Sequence, residues 1–311
     1  MRIAIIGRSE WLLKTAEKLA VAGHDIPLVL TAKEAPEYKV TAKDYENYAT
    51  RIGAKYIYSS KINKDIIINE IKALDEIDIA ISVNYSGIIS SDVINLFDLG
   101  ILNAHGGDLP RYKGNACQAW AILNKEQKIG LCVHKMIGSE LDNGDIMARD
   151  YLKIDVNTKI GTIYTWMEEA IPSLMLSAVE KLESNPLYVL EVQSKNPEDT
   201  LRCYPRMPED GRIDWWKSNE DILRLVNATS EPFSGAFCHF EGKKMIIWEA
   251  ELVTTYENFL GIPGQISCIN HDNGSVEVIA GSGKIRINQI EYEGKRTVPT
   301  DFVKSSRKRL S

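Results

Sequence analysis

The first half of the chain alternates short apolar runs with stretches of helical periodicity, and this alternation restricts the fold more than any other feature. The apolar runs lie at residues 3–6, 26–30, 56–58, 77–83 and 99–103. Apolar residues at helical spacing lie between them, at 9–22, 42–52 and 64–74. Short apolar runs connected through helices are typical of buried parallel strands. The sequence therefore predicts an α/β fold with a doubly wound, mostly parallel sheet.

The pattern changes after about residue 200. A long helix is predicted near 160–183, and a polar, proline-containing linker follows at 193–208. Beyond a short helix near 218–228, β-prone runs alternate with glycine-containing turns, at 236–240, 245–248, 264–269, 276–279 and 285–290. Such a series predicts a small β-rich barrel or sandwich. We therefore predict two domains, 1–200 and 201–311, and a frayed basic tail at 304–309.

Charge and cysteine content limit the partners and the compartment. The formal net charge is -6, whereas nucleic-acid binders usually carry a basic excess, so nucleic acid is an unlikely partner. The five cysteines include no Cys-x-x-Cys pair, which is typical of free thiols in a reducing compartment. The sequence has no signal-peptide pattern and no apolar run long enough for a membrane span. We expect a cytoplasmic protein with no membrane partner.

Asn103 and His105 are the first candidates for chemistry. They lie around the end of the fifth predicted strand, where doubly wound sheets place their active sites. Residues two apart in an extended segment face the same side, so the amide and the imidazole can converge on one atom. Such a pair can stabilise a carbonyl that becomes an oxyanion. Taken alone, an asparagine at a strand end is more often a turn former, and a histidine beside two glycines is often a surface-loop residue, so the pairing carries the catalytic interpretation.

Asp142 has two interpretations. It precedes Asn143-Gly144, and aspartate before Asn-Gly is common in turns, which is the reading that spacing alone favours. The functional interpretation is a carboxylate that orients or deprotonates an imidazole or an amine. His134 lies inside an apolar run and is predicted to be a core histidine with its hydrogen bonds satisfied.

Three cofactor motifs are missing from the sequence. The stretch after the first strand lacks the three glycines of the dinucleotide fingerprint, and no phosphate loop with Gly-Lys-Ser/Thr occurs. No group of His, Cys and Asp has the spacing of metal ligands. Nicotinamide chemistry, ATP hydrolysis and zinc catalysis therefore lack support, and we expect no metal.

Four separated blocks resemble the signature of the 10-formyltetrahydrofolate-dependent formyltransferases. In chain order the blocks are 103–105, 109–114, 130–134 and 141–145. That family includes methionyl-tRNA formyltransferase and the N-formyltransferases of nucleotide-linked amino sugars. The resemblance covers nearly the whole chain. It implies a Rossmann-like catalytic domain, an OB-like C-terminal domain, 10-formyltetrahydrofolate as cosubstrate, no metal, and a possible homodimer.

Carried over residue by residue, the resemblance implies a catalytic triad and a pterin pocket. The substrate amine would attack the formyl carbon of the folate, and Asn103 and His105 would stabilise the tetrahedral oxyanion. Asp142 would hold His105 and help to manage the amine proton. The pterin pocket would lie between two loops, whose predicted cofactor-binding residues are Val83, Asn84, Tyr85, Ser86, Gly87, Ile88, Glu140 and Leu141.

The chain departs from the family pattern at three positions. Gly107 and Asp108 stand where the family often has serine followed by leucine, so no role can be assigned to that serine. Cys117 replaces a usual proline, which we interpret as a change in packing. The implied triad is intact.

The resemblance leaves the acceptor open. Residues 31–43 contain no arginine, whereas a segment that tracks an RNA backbone should be clearly basic. The segments 204–206, 210–215 and 231–237 resemble the linker of sugar N-formyltransferases. We predict that Arg202, Tyr204 and Arg206 bind substrate, with the arginines on a diphosphate, although solvated linker arginines are an equal alternative. A nucleotide-linked amino sugar is the expected acceptor, and initiator tRNA is the alternative. A glycinamide ribonucleotide enzyme, or an inactive relative with a binding domain, fits less well.

Overall fold

The computed structural model describes residues 1–254 and 257–311, and these separate into two compact units. The N-terminal unit comprises residues 1–117, 129–152 and 164–203. The C-terminal unit comprises residues 118–128, 153–163 and 204–311. The division at residue 200 stays a prediction, and the structure adds that two short earlier segments group with the later residues.

A twisted α/β sheet forms the centre of the N-terminal unit. Its strands are β1 (Arg2–Gly7), β2 (Asp25–Thr31), β3 (Lys55–Tyr58), β4 (Ile79–Val83), β5 (Ile101–His105), β7 (Lys128–Lys135) and β8 (Ile146–Lys153), while β6 (Lys113–Gly114) pairs separately with β9 (Arg202–Cys203). The seven strands, counted over the described residues, lie in the order β3-β2-β1-β4-β5-β7-β8. Strands β1 to β5 are mutually parallel and β7 is antiparallel to β5. The predicted mostly parallel, doubly wound α/β sheet is confirmed.

The α-helices of the described residues are α1 (Glu10–Val21), α2 (Ala42–Ile52), α3 (Asp65–Lys72), α4 (Ser91–Ile94), α5 (Cys117–Leu123), α6 (Ile160–Ser184) and α7 (Asn219–Thr229). Five of them lie close to their predicted positions, and two short ones, α4 and α5, were not predicted. α2 begins at a capping box between Thr41 and Asp44 and ends at Gly53, whose φ is 73°. Gly7 has a different role, because a Cβ there would lie 2.0 Å from the Val83 carbonyl oxygen. Only glycine lets β1 end this close to β4, although the dinucleotide fingerprint is absent.

Strand β5 ends later than the sequence predicts. The apolar run suggested a strand at 99–103 with His105 in the loop beyond it, but the strand is Ile101–His105. The reason is pairing on both edges, with Asn103 opposite Ser82 of β4 and opposite His134 of β7. Asn103 is therefore in the middle of the strand and His105 is its last residue. Their side chains still share one face, as predicted.

The C-terminal unit has its own antiparallel sheet. Its strands are β10 (Ala236–Phe240), β11 (Lys243–Val253), β12 (Ile266–Ile269), β13 (Val276–Ile279), β14 (Lys284–Tyr292) and β15 (Lys295–Thr297). In the described residues they lie in the order β10-β11-β14-β13-β12, with β15 also paired to β14. α7 packs its buried face on an apolar core that includes Ile222, Val226 and Ile247. The predicted β-rich second domain is confirmed.

The tail is not frayed, which corrects the prediction for residues 304–309. Arg309 bridges to Gln265, and Leu310 bridges to Phe240. The Leu310 side chain is buried, so apolar packing holds the tail against the sheet. Among the helices of the described residues, none combines the length and apolar character of a membrane span.

Candidate active site

The antiparallel pairing of β5 with β7 brings three polar side chains together in the N-terminal unit. Asn103 and His105 project from β5, and the register places His134 of β7 directly opposite Asn103. The Asn103 side-chain nitrogen lies 3.2 Å from His134 Nε2. His105 and His134 are buried, and their rings meet edge to face with centroids 6.4 Å apart. His134 is a buried, hydrogen-bonded histidine as predicted, but its partners belong to the site, and this role was missed.

Asp142 completes the cluster from the loop between β7 and β8. Its φ of 54° places it in the left-handed region, which fits the turn character that its sequence context predicts. One carboxylate oxygen, Oδ2, accepts the Gly114 backbone N–H at 2.8 Å and lies 3.6 Å from His105 Nδ1. The other, Oδ1, lies 3.6 Å from His134 Nε2. The turn and the carboxylate site are thus one feature, and the two interpretations of Asp142 are compatible.

Backbone carbonyls fix where the histidines carry protons. The Lys135 carbonyl accepts from His134 Nδ1 at 2.9 Å, so this nitrogen is protonated. The remaining His134 nitrogen can then accept from the Asn103 amide, which holds the amide in one orientation. On His105 the Tyr112 carbonyl accepts from Nε2 at 2.6 Å, so that nitrogen is the donor. Both rings are oriented by the main chain.

Asp142 carries a fixed negative charge. Burial by itself raises the pKa of its carboxyl, but the neighbouring His105 and His134 rings and the Gly114 N–H donor outweigh burial and hold the pKa below its ordinary value. The carboxylate therefore stays ionised near neutral pH. In a buried setting such a charge orients neighbouring donors strongly, because little water screens it.

Lys113 is a polar residue beside this cluster to which the sequence analysis assigned no role. Its side chain is buried, and its ammonium donates to the Asn143 side-chain oxygen. Asn143 in turn donates to Glu140 at 3.1 Å. Burial lowers the pKa of Lys113, and the charges of Asp142 and Glu140 oppose that shift. The only sequence signal was its place in the second family-like block.

A cavity of about 90 Å³ opens beside Asn103, His134 and Asp142. Its other lining residues are Ser82, Tyr85, Gly87, Ile89, Met136, Glu140 and Leu141. Of the predicted pterin residues, Tyr85, Gly87, Glu140 and Leu141 therefore face it. The Tyr85 hydroxyl donates to the Ser59 carbonyl at 3.0 Å and accepts the Ile62 N–H at 3.1 Å, which fixes this wall.

The other four predicted pterin residues lie away from the cavity lining. Val83 is fully buried at the end of β4, and the Asn84 carbonyl accepts from Arg8 at 2.9 Å. Ser86 is exposed, and the Ile88 side chain is 65% exposed. These residues shape the loop, while the lining comes from Tyr85 and Gly87 within it.

The three departures from the family pattern make specific contacts, and the one at Gly107 is steric. A Cβ on Gly107 would lie 2.3 Å from the Tyr112 carbonyl oxygen and 2.6 Å from His105 Nε2, so the His105–Tyr112 hydrogen bond excludes a serine here. Asp108 forms an ion pair with Arg149 and accepts from the Tyr151 hydroxyl at 3.0 Å. Cys117 is buried, and its thiol donates to the same Tyr112 carbonyl at 2.9 Å. The loop is repacked around that carbonyl.

The three predicted substrate-binding residues have different surroundings. Arg202, in the N-terminal unit, is exposed on β9, which pairs with β6. In the C-terminal unit the Arg206 guanidinium lies 5.1 Å from the ring centre of Trp120, and burial lowers its pKa. Tyr204 is 67% exposed, and its carbonyl accepts from Trp120 Nε1 at 2.9 Å.

Comparison with known proteins decides the family. The sequence profile described as "Formyl transferase" matches residues 1–179, and the profile "Formyl transferase, C-terminal domain" matches residues 206–307. The chain belongs to the formyl transferase family. The family resemblance that the four blocks indicated is confirmed, and the chain is an enzyme of the formyltransferase class.

Formyl transferase relatives with similar sequences cover the whole chain. A methionyl-tRNA formyltransferase of Ruminiclostridium cellulolyticum is 27% identical over 313 residues, covering 99% of this chain and 97% of the relative. A methionyl-tRNA formyltransferase of Clostridium tetani is 27% identical over 303 residues, covering 95% of this chain and 93% of the relative.

Solved structures share the fold at lower identity. An N-formyltransferase from Helicobacter canadensis, in complex with folinic acid and dTDP-3-aminofucose, has a TM-score of 0.69 and 16% identity, covering 92% of this chain and 98% of that chain. HypX from Aquifex aeolicus, in complex with tetrahydrofolic acid, has a TM-score of 0.62 and 17% identity, covering 98% of this chain and 47% of that chain. The chain thus spans about half the length of HypX.

Proposed function

We propose that this formyltransferase moves a formyl group from 10-formyltetrahydrofolate to the amine of a nucleotide-linked amino sugar. The observation that carries the proposal is the buried cluster of Asn103, His105 and Asp142 beside a small cavity at the end of β5. Fold relatives bound to folinic acid and to tetrahydrofolic acid support a folate as the one-carbon donor.

The proposed reaction passes through one tetrahedral intermediate. The amine nitrogen forms a bond to the formyl carbon, and the carbonyl oxygen takes up negative charge. Collapse breaks the bond between that carbon and N10 of the folate, while the proton lost by the amine passes to N10. The two products are the formamide and tetrahydrofolate, so no oxidant or metal is required.

Each member of the cluster has one task in this scheme. The Asn103 amide, held by His134, donates to the oxyanion, and preorganised donors of this kind are the largest single contribution in acyl transfer. His105 is the second donor: its Nε2–H donates to the Tyr112 carbonyl in this structure and must turn from that carbonyl to the oxyanion when substrate binds. Asp142 orients His105, because its lowered pKa makes it a fixed charge and a weak base.

The acceptor assignment is supported by the surface of residues 31–43. The Lys39 ammonium pairs with Glu168 at 2.9 Å, and the Lys43 ammonium pairs with Glu46 at 2.7 Å. A segment that neutralises RNA phosphates needs lysines or arginines that remain available. With two of its three lysines already paired and no arginine present, the segment favours a small acceptor. The fold relative bound to dTDP-3-aminofucose supports a sugar nucleotide.

Methionyl-tRNA is the second candidate acceptor. It is favoured by the names of the sequence relatives, two of which align over at least 95% of this chain. The same cluster would perform the same chemistry on the methionyl amine, so only the acceptor differs.

A panel of acceptors tests the proposal. The full chain is incubated with 10-formyltetrahydrofolate and with UDP-, dTDP- or GDP-linked amino sugars, beside methionyl initiator tRNA. Mass spectrometry then detects the addition of one formyl group. The Asp142→Asn chain is the matched control, since asparagine keeps the shape of the side chain and removes its charge. We expect a formylated sugar nucleotide with the wild type alone, whereas formylation of the tRNA and of no sugar would overturn the proposed acceptor.

A further inference from the structure

The C-terminal unit contains a second cavity, larger than the one beside Asp142. Its volume is about 470 Å³, within the range of about 300–1,000 Å³ that small-molecule sites occupy. The walls come from three segments, 212–216, 262–263 and 309–311. All three belong to the C-terminal unit, and none of their residues lines the cavity beside Asp142.

Two walls of this cavity are held firmly. The Asp214 carboxylate accepts the Trp216 N–H at 3.0 Å, and a Cβ on Gly281 would lie 1.9 Å from the Trp216 carbonyl oxygen. The main chain at Trp216 is therefore clamped against the 281 turn. On the other side, the β-bridge between Arg309 and Gln265 holds the C-terminal tail against the sheet, just before β12 begins. A cavity with fixed walls binds a ligand at a lower entropy cost than a mobile loop does.

Unpaired positive charge lies on both sides. Arg212 and Arg309 are exposed, and within residues 1–254 and 257–311 neither guanidinium makes a hydrogen bond or an ion pair. Asp214 is the acidic side chain of the lining, and its carboxylate is already turned to the Trp216 N–H. Two available guanidiniums are suited to a phosphate or diphosphate, which they bind through paired N–H donors.

Indole rings supply a second recognition element. The Trp216 side chain is 73% exposed although it is large and apolar. Trp215 is buried in the wall, and its Nε1–H has no hydrogen-bond acceptor. An exposed tryptophan beside cationic side chains can stack on the flat face of a base while the cations bind its phosphates.

We propose that this cavity is a binding site for a nucleoside diphosphate, distinct from the formyl-transfer site. Arg212 and Arg309 bind the phosphates, and Trp216 stacks on the base. The arginines favour an anionic ligand, and the tryptophan favours a ligand with a planar ring. Among common small ligands a nucleotide satisfies both.

Binding of UDP, dTDP and GDP to the full chain tests this site. Each nucleotide is titrated by calorimetry into the wild type, the Arg212→Ala/Arg309→Ala chain, the Trp216→Ala chain and the Arg307→Ala chain. Arg307 is an exposed arginine of the same tail outside the cavity lining, so it is the matched control. We expect the double variant to bind at least about tenfold more weakly at this site, because hydrogen bonds to charged groups are lost. Trp216→Ala should weaken binding less, and Arg307→Ala should leave it unchanged.

Other arms identify the ligand class and the site. If inorganic pyrophosphate bound as tightly as UDP, the cavity would be a site for anions in general. If single-stranded RNA bound more tightly than any nucleotide, the cavity would be a nucleic-acid site. Either result overturns the proposal. The KM for the sugar-nucleotide acceptor should be unchanged in the double variant. A parallel rise in that KM would place Arg212 and Arg309 in the acceptor site instead. If none of the variants changed nucleotide binding, the proposed nucleotide site would also be overturned, whatever acceptor the enzyme uses.

Discussion

The cavity beside Asp142 and the cavity beside Arg212 differ in how the charged side chains around them are held. In the N-terminal unit the buried Asp142 and Lys113 have polar partners, and His105 and His134 are oriented by carbonyls. In the C-terminal unit Arg212 and Arg309 remain at the surface around an independent apolar core.

This difference separates chemistry from recognition. A buried, mutually paired cluster is preorganised, so it can stabilise charge that develops during a reaction without rearranging. Exposed, unpaired guanidiniums keep their hydrogen-bonding capacity for a ligand that arrives from water. Substitutions in the first region should therefore change turnover, and substitutions in the second should change binding.

The largest effect is expected at the triad. We predict that His105→Ala and Asp142→Asn each lower kcat for formyl transfer by about 100- to 1,000-fold, because each removes a donor to the oxyanion or the charge that orients it. Steady-state kinetics with circular dichroism as a folding check measures this. His271→Ala, an exposed histidine of the C-terminal unit, is the control and should keep full activity. Near-normal turnover in either triad variant would remove that residue from the mechanism.

A smaller effect is expected at His134, which positions the Asn103 amide. We predict that His134→Ala lowers kcat by about tenfold with little change in KM, since losing one buried hydrogen-bond partner costs about 1–3 kcal/mol. His134→Gln, whose amide oxygen can accept from Asn103, should recover part of the loss. If alanine and glutamine behave alike, His134 serves packing and does not position Asn103.

At Gly107 a single substitution should affect both packing and catalysis. We predict that Gly107→Ser lowers the free energy of unfolding by about 1–3 kcal/mol, because the added side chain overlaps the Tyr112 carbonyl and His105. Urea denaturation measures this loss, and kinetics should show reduced turnover in the same variant. An unchanged unfolding midpoint would mean that the loop accommodates serine.

The smallest effect is expected on the stability of the folded chain at acid pH. The pKa of Asp142 is lower in the folded chain than its ordinary value of 3.8, so its contribution is fully present above that value and is lost as pH falls through the folded pKa. We predict that Asp142→Asn flattens this acid loss, seen in urea midpoints measured from about pH 6 down to about pH 2. Parallel curves for the two chains would show that the carboxylate adds no pH-dependent stability.

Local patterns predicted most of the fold. The parallel strands, α2 and α6 follow from apolar periodicity and caps, which are read within a few residues. The end of β5 and the partners of His134 were missed because they depend on register with β7, a contact more than 25 residues distant along the chain. The ordered tail was missed for the same reason, since Leu310 bridges to Phe240.

The candidate site, too, could be predicted only in part from the sequence. Asn103, His105 and Asp142 could be named from residue types and resemblance, and they lie together in the structure. Lys113 could not be given a role, because its burial and its hydrogen bond to Asn143 arise from loop packing. The expected homodimer and the roles of Arg202, Tyr204 and Arg206 stay predictions.

The central claim is that the buried cluster of the N-terminal unit transfers the formyl group, and a single-turnover measurement on Asn103→Ala tests it most directly. Enzyme in excess over 10-formyltetrahydrofolate is mixed with the amino-sugar nucleotide, and formylated product is quantified over time beside the wild type. We predict unchanged affinity for the donor and transfer slowed by about 100-fold, as expected for loss of one oxyanion donor. Transfer at the wild-type rate would contradict the account, because the reaction would then proceed without the donor that the β5–β7 pairing sets in place.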